Sequence, residues 1–425
     1  MEPAPVSPVD AAPPPADAEP EPPPAETYAD EGGDSWYDAI EFSAFADAYF
    51  SLNYNFPKPQ AGRNLLRAFD TANGFALSWV GVNASYPADP VGGTISLRFG
   101  PTAQTIGHGC LAKDTSQCDS GYGLENVKQA FASWKPAGGD SMLQLDFGKF
   151  DTPYGAEVAE SHLNMNYTRG MLFMSQPLFH TGLRASFAVA DAFDFKLLAV
   201  NGWNNTIDNN VGKSFGAQAN FHLKGNDDAE LLTASIGYMG GPEREDVDSV
   251  TCTAGTHFDP SSPSGCSPGS GETSGVVDRA SSNTKGLRHL IDLVVAANPI
   301  ERLRLLLNAD LGFEDTRITG DVGNFQNKKY FGVTLGARLA VVDEFGVALR
   351  GEFFRDEGGF ITTYTDNKID LWGGTLTLDY LPSDFLTIRL DNRLDWADHQ
   401  IFYNGVRDLV GSQFTTTLGV VAHTD

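Results

Sequence analysis

Apolar and polar residues alternate with a period of two along most of the chain. From Ile40 to Phe56 every even position is apolar or aromatic, while the odd positions are polar except for Phe45 and Tyr49. Such alternation predicts a β-strand with one apolar and one polar face. A strand of a soluble sandwich usually has about five or six residues, whereas a strand that crosses a membrane needs about 9–11. The length of this run therefore favours a membrane strand.

The same pattern recurs along the chain. Residues 215–222, 303–313 and 331–341 each place apolar residues on one face and polar residues on the other. Further strands are predicted around Leu77, Leu97, Gln129, Leu145, Phe187, Leu197, Ile236, Leu293, Val347, Leu376, Ile388 and Leu418.

The connections between these strands alternate in length. Tight turns such as "ANPIER" and "LPSDF" separate some neighbours, whereas long polar loops at 241–286, 315–328, 355–368 and 398–412 separate others. Short turns at one end and long loops at the other are typical of outer-membrane barrels. We therefore expect an all-β fold, a transmembrane antiparallel β-barrel of about 16 strands with short periplasmic turns and long extracellular loops. A soluble β-sandwich or β-propeller is the alternative.

One predicted loop differs from the others in composition. The strand "LDFGKFD" ends at Asp151, and Pro153 removes a hydrogen-bond donor from the ladder. Clear alternation returns only at "GLRASFAV", so residues 151–182 are expected to form one loop on the long-loop side. The loop contains the apolar stretch "GMLFMSQPLF", which would be buried if the loop folded into the lumen. We expect a constriction loop there, with Asp151, Glu157, Glu160 and Arg169 at the constriction.

The first 38 residues have a composition of their own. They contain ten acidic residues, no basic residue and ten of the 24 prolines. Such a segment cannot bury enough apolar surface to fold, so residues 1–38 are expected to be a disordered tether and residues 39–425 the barrel. The tether also lacks the basic start and apolar core of a secretory signal, and we expect that an exported protein has lost its signal.

The charge of the remaining chain excludes one class of partner. Subtracting the ten acids of the tether from the 55 in the chain leaves 45 acidic against 29 basic residues, a formal charge of −16. A basic surface is needed to displace the counterions of nucleic acid, so no nucleic acid is expected as a partner. The negative charge favours a weak preference for cations in a channel.

Three stretches resemble a known family of bacterial proteins. The OmpL-like outer-membrane β-barrel porin family has stretches similar to "LDFGKFDTPYGAEVAE", "NYTRGMLFMSQPLFHTGLRASF" and "LLAVNGWNN". The resemblance is dense from Leu143 to Asn205 and extends, as a strand pattern, from Ile40 to Val421. It implies an outer-membrane porin through which small hydrophilic solutes or ions diffuse passively. The chain departs from the family in ending with "VVAHTD" rather than with an aromatic residue.

Motifs of catalytic chemistry are weak in this sequence. Residues 265–269 match G-x-S-x-G, but they lie in a loop of small residues without the strand and helix of a nucleophile elbow. The eight histidines show no metal-ligand spacing. We therefore expect no catalytic residues, no metal and no cofactor, and a protein that is not an enzyme. An outer-membrane adhesion or anchoring barrel without a transport role is the main alternative, and an outer-membrane hydrolase is a weaker one.

The polar face of each strand predicts the residues that line the lumen. Charged side chains are costly on the lipid face, so they are expected to point inward. There they either line water and pair with one another, or they oppose the charges of the loop at 151–182 and create a transverse field. The predicted pore-lining residues are Arg98, Arg184, Arg304, Arg338, Arg350, Arg389, Arg393, Asp47, Asp292, Asp310, Glu352 and Asp391.

The apolar face, the lumen and the N-terminal tail each predict a class of binding partner. Outer-membrane lipid is expected on the apolar face and small hydrophilic solutes in the lumen, while a homo-oligomer and contact of the N-terminal tail with the cell wall stay open. Aromatic residues at strand ends are expected in the interfacial girdles of such barrels, namely Trp203, Trp372, Tyr380 and Trp396.

The four cysteines predict disulfides in two of the long loops. Sequence alone permits three pairings of four cysteines. Disulfides Cys110–Cys118 and Cys252–Cys266 are expected because each pair shares one loop on the oxidising outer side.

Overall fold

A closed barrel is the main feature of the chain. The computed structural model describes residues 36–57, 64–68, 70, 73–108, 123–225, 229–243, 247–259, 262, 266–278, 287–318, 321–360, 362, 368–406 and 408–424. Within these ranges, sixteen strands form a closed antiparallel barrel, so the predicted fold class and strand number are confirmed. Except for its last three residues, the predicted tether lies outside the described residues.

Strands are numbered along the chain, with those of the loops included. The barrel strands are β1 (Glu41–Asn53), β2 (Asn73–Tyr86), β3 (Val91–Phe99), β4 (Val127–Trp134), β5 (Leu143–Asp151), β6 (Phe179–Ala190), β7 (Phe193–Val200), β8 (Ser214–Lys224), β9 (Glu230–Pro242), β14 (Leu287–Ile300), β15 (Leu303–Ile318), β16 (Asp321–Val342), β17 (Phe345–Glu357), β18 (Lys368–Ser383), β19 (Leu386–Ala397) and β22 (Ser412–His423). The described loops contain two-stranded sheets made of β10 (Val247–Thr251) with β13 (Ser274–Asp278), β11 (Thr256–Phe258) with β12 (Cys266–Pro268), and β20 (Phe402–Asn404) with β21 (Asp408–Val410).

Helical structure is short. Helix α1 (Pro101–Gly107) follows β3, and 3-10 helices are formed by Trp36–Ala39, Gly138–Asp140, Ser161–Leu163 and Leu172–Met174. In the part of the chain that the structure describes, no helix is long and apolar enough to span a membrane.

Side chains alternate between the two faces of the barrel wall as the sequence predicts. In β17 the even positions, such as Arg350 and Glu352, are buried, whereas odd positions such as Leu349 are exposed. The outward apolar residues, such as Leu335 with 58% of its surface exposed, form the face that suits lipid. Pairing of β1 with β22 closes the barrel, so each barrel strand has a partner on both sides.

The two ends of the barrel differ in their connections. Tight turns join β6 to β7, β14 to β15, β16 to β17 and β18 to β19, as predicted. One predicted loop, at residues 315–328, is largely a strand hairpin instead, because β15 continues to Ile318 and β16 begins at Asp321. The register places Glu314 opposite Lys328, and opposite charges at such positions stabilise strand pairing.

Aromatic residues occupy the outer surface near strand ends. Trp372 stacks on Trp396 with ring centroids 5.9 Å apart, and Tyr380 is exposed on the outer face. The girdle prediction for Trp203 was wrong, since this residue is buried in the connection after β7. The guanidinium of Arg288 lies 4.8 Å from its ring centroid. This connection packs inward, so its aromatic residue never reaches the lipid face.

Candidate functional site

Residues 152–178, which we name the inserted segment, connect β5 to β6 and lie within the barrel. Their polar groups contact inward-facing residues on opposite sides of the wall, including Asp47 on β1, Asp292 on β14 and Arg350 on β17. Most of its residues are buried. Both boundaries of the predicted loop at 151–182 were wrong, because Asp151 is the last residue of β5 and residues from Phe179 onward already pair with that strand. Residues 179–182 lack the clear alternation that marks the other strands.

Aromatic side chains pack the inserted segment against β1 and β2. Tyr167 and Phe173 share one buried cluster with Phe45, Tyr49 and Trp79. Phe45 and Tyr49 are the two residues that interrupt the polar face of β1. Burial of apolar surface is favourable, and the inserted segment removes these two rings from the water of the lumen. The hydroxyl of Tyr167 also donates a 2.6 Å hydrogen bond to the carboxylate of Asp47 on β1.

Backbone groups of the inserted segment bind charged side chains of β17 and β19. Arg350 donates to the carbonyl oxygen of Thr168 at 2.5 Å, and Arg393 donates to that of Arg169 at 2.5 Å. Asp391 accepts two backbone N–H bonds, the shorter of them from Thr168 at 2.8 Å. Hydrogen bonds with one charged partner are stronger than neutral ones, so these side chains fix the path of the backbone.

Two further residues of this charged row bind the segment in the same way. Glu352 accepts from the backbone N–H of Met171 at 2.6 Å, and Arg389 donates to the carbonyl oxygen of Ser161 at 2.5 Å. Glu352 also forms a 3.0 Å ion pair with Arg350. The charged row is therefore a binding surface for the main chain of the inserted segment.

On the opposite wall, Glu160 of the inserted segment lies between two basic residues. Its carboxylate is 2.7 Å from Arg98 and 2.8 Å from Lys128, and Lys128 forms a second ion pair with Asp151 at 2.8 Å. Burial alone would raise the pKa of Glu160, but the positive charges of Lys128 and Arg98 lower that pKa to about 2. Glu160 is therefore ionised at neutral pH and holds the segment to β3 and β4.

The other charged residues of the predicted constriction are also engaged. Glu157 forms a 2.8 Å ion pair with Arg350. Arg169 donates to the carbonyl oxygens of Tyr167 and Ala159, which belong to the segment itself. The acids of the segment thus contact basic residues of the wall directly rather than across a gap.

Two carboxyl groups lie side by side on β14 and β15, in contact with the start of the segment. The register places Asp292 directly opposite Asp310, and both residues are buried. The side-chain amide of Asn308 donates to both carboxyl groups, at 3.0 Å each. The backbone N–H of Gly155 donates to Asp292 at 3.1 Å, so this pair also holds the segment.

Three of the predicted pore-lining residues lie away from these contacts. Arg184 forms a 2.9 Å ion pair with Asp146, and Arg338 forms a 2.7 Å ion pair with Asp379. Arg304 is exposed and has no ion-pair partner among the described residues. These three arginines remain at inward positions that the inserted segment does not cover.

Some residues that bind the segment or pair with its anchors were missed by sequence analysis. Asp379 and Asp395 occupy inward positions of β18 and β19, so the alternation pattern could have found them. Lys128 lies where the pairing of β3 and β4 shifts register, and there the alternation gives no clear signal. Arg67, which forms a 3.2 Å ion pair with Asp395, lies in a connection without any pattern.

The disulfide prediction is confirmed for one pair. Cys252 and Cys266 are joined, with Cα atoms 5.8 Å apart. The second predicted pair, Cys110 and Cys118, lies outside the described residues.

The G-x-S-x-G sequence is built differently from a nucleophile elbow. Ser267 lies in β12, and its hydroxyl donates to the carboxylate of Asp259 at 2.6 Å. The strand pairs with β11 in a small two-stranded sheet. Over the described ranges, no group of three or more His, Cys, Asp or Glu residues is arranged to hold a metal ion.

A cavity remains between the inserted segment and strands β2 to β5. Its lining includes Arg98, Lys128, Asp151, Glu157 and Gln176. The cavity therefore lies along one wall of the barrel, with charged and apolar side chains in its lining.

Comparisons with known proteins agree on a porin-like barrel. The family described as "Putative beta-barrel porin-2, OmpL-like" matches residues 39–423. Comparison with curated proteins finds no match.

Solved structures with a similar fold come from several bacteria. The outer-membrane expressed OmpT of Vibrio cholerae is 12% identical over 91% of this chain and 97% of that chain, with a TM-score of 0.53. The outer membrane channel DcaP of Acinetobacter baumannii is 8% identical over 91% and 97%, with a TM-score of 0.53. An anion-selective porin from Comamonas acidovorans is 12% identical over 91% and 99%, with a TM-score of 0.52. At these identities the likeness concerns the fold alone.

Proposed function

This chain belongs to the OmpL-like family of β-barrel porins of the bacterial outer membrane, and from that premise we propose that it lets small hydrophilic solutes and ions diffuse passively through its lumen. The family match spans all sixteen barrel strands. The apolar outer face would contact lipid, and the polar inner face would contact water and solute.

The observation that carries the proposal is a polar lumen that one segment narrows. Charged side chains from many strands point inward, and those that the inserted segment does not cover, Arg184, Arg304 and Arg338, would line a water-filled route. The inserted segment occupies part of the lumen and leaves a cavity, lined by charged and apolar residues, beside β2 to β5. A constricted, hydrated route is what a diffusion channel requires.

In this proposal the inserted segment is the constriction. Asp151 and Glu157 border the cavity. Glu160 holds the segment to Arg98 of the wall, and Arg169 binds a carbonyl group of the segment itself. Direct ion pairs neutralise most of these charges. The field along the route would then depend on groups that stay partly exposed, such as Asp151 in the cavity and Arg304 beyond it.

Conductance of the purified protein tests the proposal. Reconstituted into planar bilayers in potassium chloride, the wild-type protein should give discrete current steps, and liposomes that contain it should swell in small sugars. Protein denatured by heat before reconstitution is the control. A folded, inserted barrel that passes neither ions nor sugars would favour the adhesion or anchoring alternative. We propose no enzymatic role, because Ser267 is bound to a carboxylate within a small loop sheet.

A further inference from the structure

The cavity beside the inserted segment is lined by charged, polar and apolar side chains. Its binding preference depends on which of its polar groups already have a hydrogen-bond or ion-pair partner in the protein. Helix α1 contributes Ile106, β4 contributes Lys128, and the inserted segment contributes Phe173 and Gln176. The inference below rests on the proposed function, because it names a class of solute for the same route.

The basic groups of this cavity are occupied by protein partners. Lys128 is held by Asp151 and Glu160, each at 2.8 Å. Arg98 donates to Glu160 and to the carbonyl oxygen of Leu97 at 2.9 Å. Lys149 donates to Thr206 at 3.3 Å and lies 3.9 Å from the ring centroid of Phe179. The cations in the wall are thus poorly placed to bind an anionic solute.

Two acceptor oxygens in the same cavity have no hydrogen-bond donor among the described residues, and a third group is partly exposed. Gln176 is only 4% exposed, and its Oε1 atom finds no hydrogen-bond partner within the described part of the chain. Glu125 also lines the cavity, and its buried Oε2 atom has no partner among the described residues either. The side chain of Asp151 pairs with Lys128 and still has 36% of its surface exposed. A buried acceptor without a donor is costly, so these oxygens favour a ligand that donates.

Gln176 is held in position by the backbone beneath it. Gly155 has a φ of 83°, in the left-handed region, and its open face lies against the side-chain amide of Gln176, where a Cβ atom would overlap it. Glycine at 155 therefore provides both the turn and the space that the amide needs.

We propose that the cavity binds small organic ammonium ions with a short apolar chain. The N–H groups of the ammonium would donate to Gln176 and to the carboxylates of Asp151 and Glu125. The chain would pack on the apolar lining, which includes Ile106 and Phe173. Desolvated aromatic faces add to the attraction for a cation.

Block of the channel current by three matched solutes tests this. Butylammonium, butanoate and butanol have the same chain and differ in the head group. Added to wild-type channels in sodium chloride, butylammonium should reduce the current at concentrations at least about tenfold lower than butanoate or butanol, as expected for one or two hydrogen bonds to a charged group. Equal block by butylammonium and butanoate would overturn the proposal.

Two variants and a matched control locate the site. Gln176→Leu removes the open acceptor and should weaken the block by butylammonium about tenfold. Gln144→Leu makes the same exchange on β5, where the amide bonds Asp146 outside the cavity lining, and it should leave the block unchanged. If Gln176→Leu does not fold, Asp151→Asn provides the second test and should also weaken the block. Variants that all retain the wild-type block would reject the site.

The two proposals fail in different ways. If the wild-type protein carries no current in sodium chloride, the channel function is wrong. If current flows and butylammonium has no advantage, only the ligand class is wrong.

Discussion

Asp391 provides the sharpest test of how the inserted segment is held. Its carboxylate accepts the backbone N–H groups of Tyr167 at 3.2 Å and Thr168 at 2.8 Å, and the Thr168 hydroxyl at 2.9 Å. Substitution Asp391→Ala would leave two buried N–H donors without an acceptor. Each such donor costs about 1–3 kcal/mol, so docking of the segment should weaken by about 2–6 kcal/mol.

Protease cleavage of folded protein in lipid vesicles measures this weakening. The inserted segment should be cut much faster in Asp391→Ala than in the wild type, while the barrel strands stay resistant. Asp343→Ala is the matched control, because Asp343 has 91% of its side chain exposed in a turn and pairs there with Arg302, a contact worth about 0–1 kcal/mol. If the two variants are cleaved at the same rate within the segment, the charged row does not hold it.

Three further predictions concern the lipid face, a buried acid and the disulfide. Leu335→Arg should lower the free energy of unfolding in bilayers by about 2–4 kcal/mol, and the inward Ser235→Arg should lower it much less; equal losses would refute the assignment of faces. Burial raises the pKa of Glu243 from 4.5 to about 7, so this residue should make the protein less stable as pH rises between these values. Glu243→Gln should abolish that part of the pH dependence in urea titrations. If stability still falls with pH as steeply as in the wild type, Glu243 is not its cause. Replacing Cys252 and Cys266 by Ser opens a loop of sequence separation 14 and should lower the free energy that keeps this loop ordered by about 3 kcal/mol. Proteolysis of the loop should become faster, while the barrel's midpoint of unfolding should stay the same.

The barrel could be predicted from sequence because its pattern is local. A period of two, strand length and the alternation of short and long connections can each be identified within a few dozen residues. All sixteen predicted strands are present. The hairpin at residues 315–328 was missed because its sequence is mostly polar, with only Ile318, Val322 and Phe325 as large apolar residues, and shows no period of two.

The contacts of the inserted segment could not be predicted in the same way. Arg393 and the carbonyl group of Arg169 are 224 positions apart, and no local pattern links them. Composition did indicate burial, because exposing the apolar stretch from Gly170 to Phe179 to water would be unfavourable. The two rings on the polar face of β1, Phe45 and Tyr49, were a second signal, because an apolar residue pointing into the lumen implies a partner there.

The roles of the individual arginines depend on the same long-range contacts. From the alternation, Arg304 and Arg350 were equivalent inward residues. In the folded protein Arg350 is buried against Glu157 and Glu352, whereas Arg304 stays exposed. Arg350 lies in the middle of β17, beside the inserted segment, whereas Arg304 is the second residue of β15, next to a tight turn.

Single-channel conductance of a segment deletion tests most directly whether the inserted segment constricts a pore. Glu157 to Gly170 would be replaced by a short glycine–serine linker, and a heat-modifiable band on gels would show that the barrel still folds. We expect a larger conductance than in the wild type and a reversal potential closer to zero in a salt gradient, because the lumen would be wider and its charges farther from the passing ions. A folded deletion variant with the wild-type conductance and reversal potential would contradict this, and would place the inserted segment outside the conducting path.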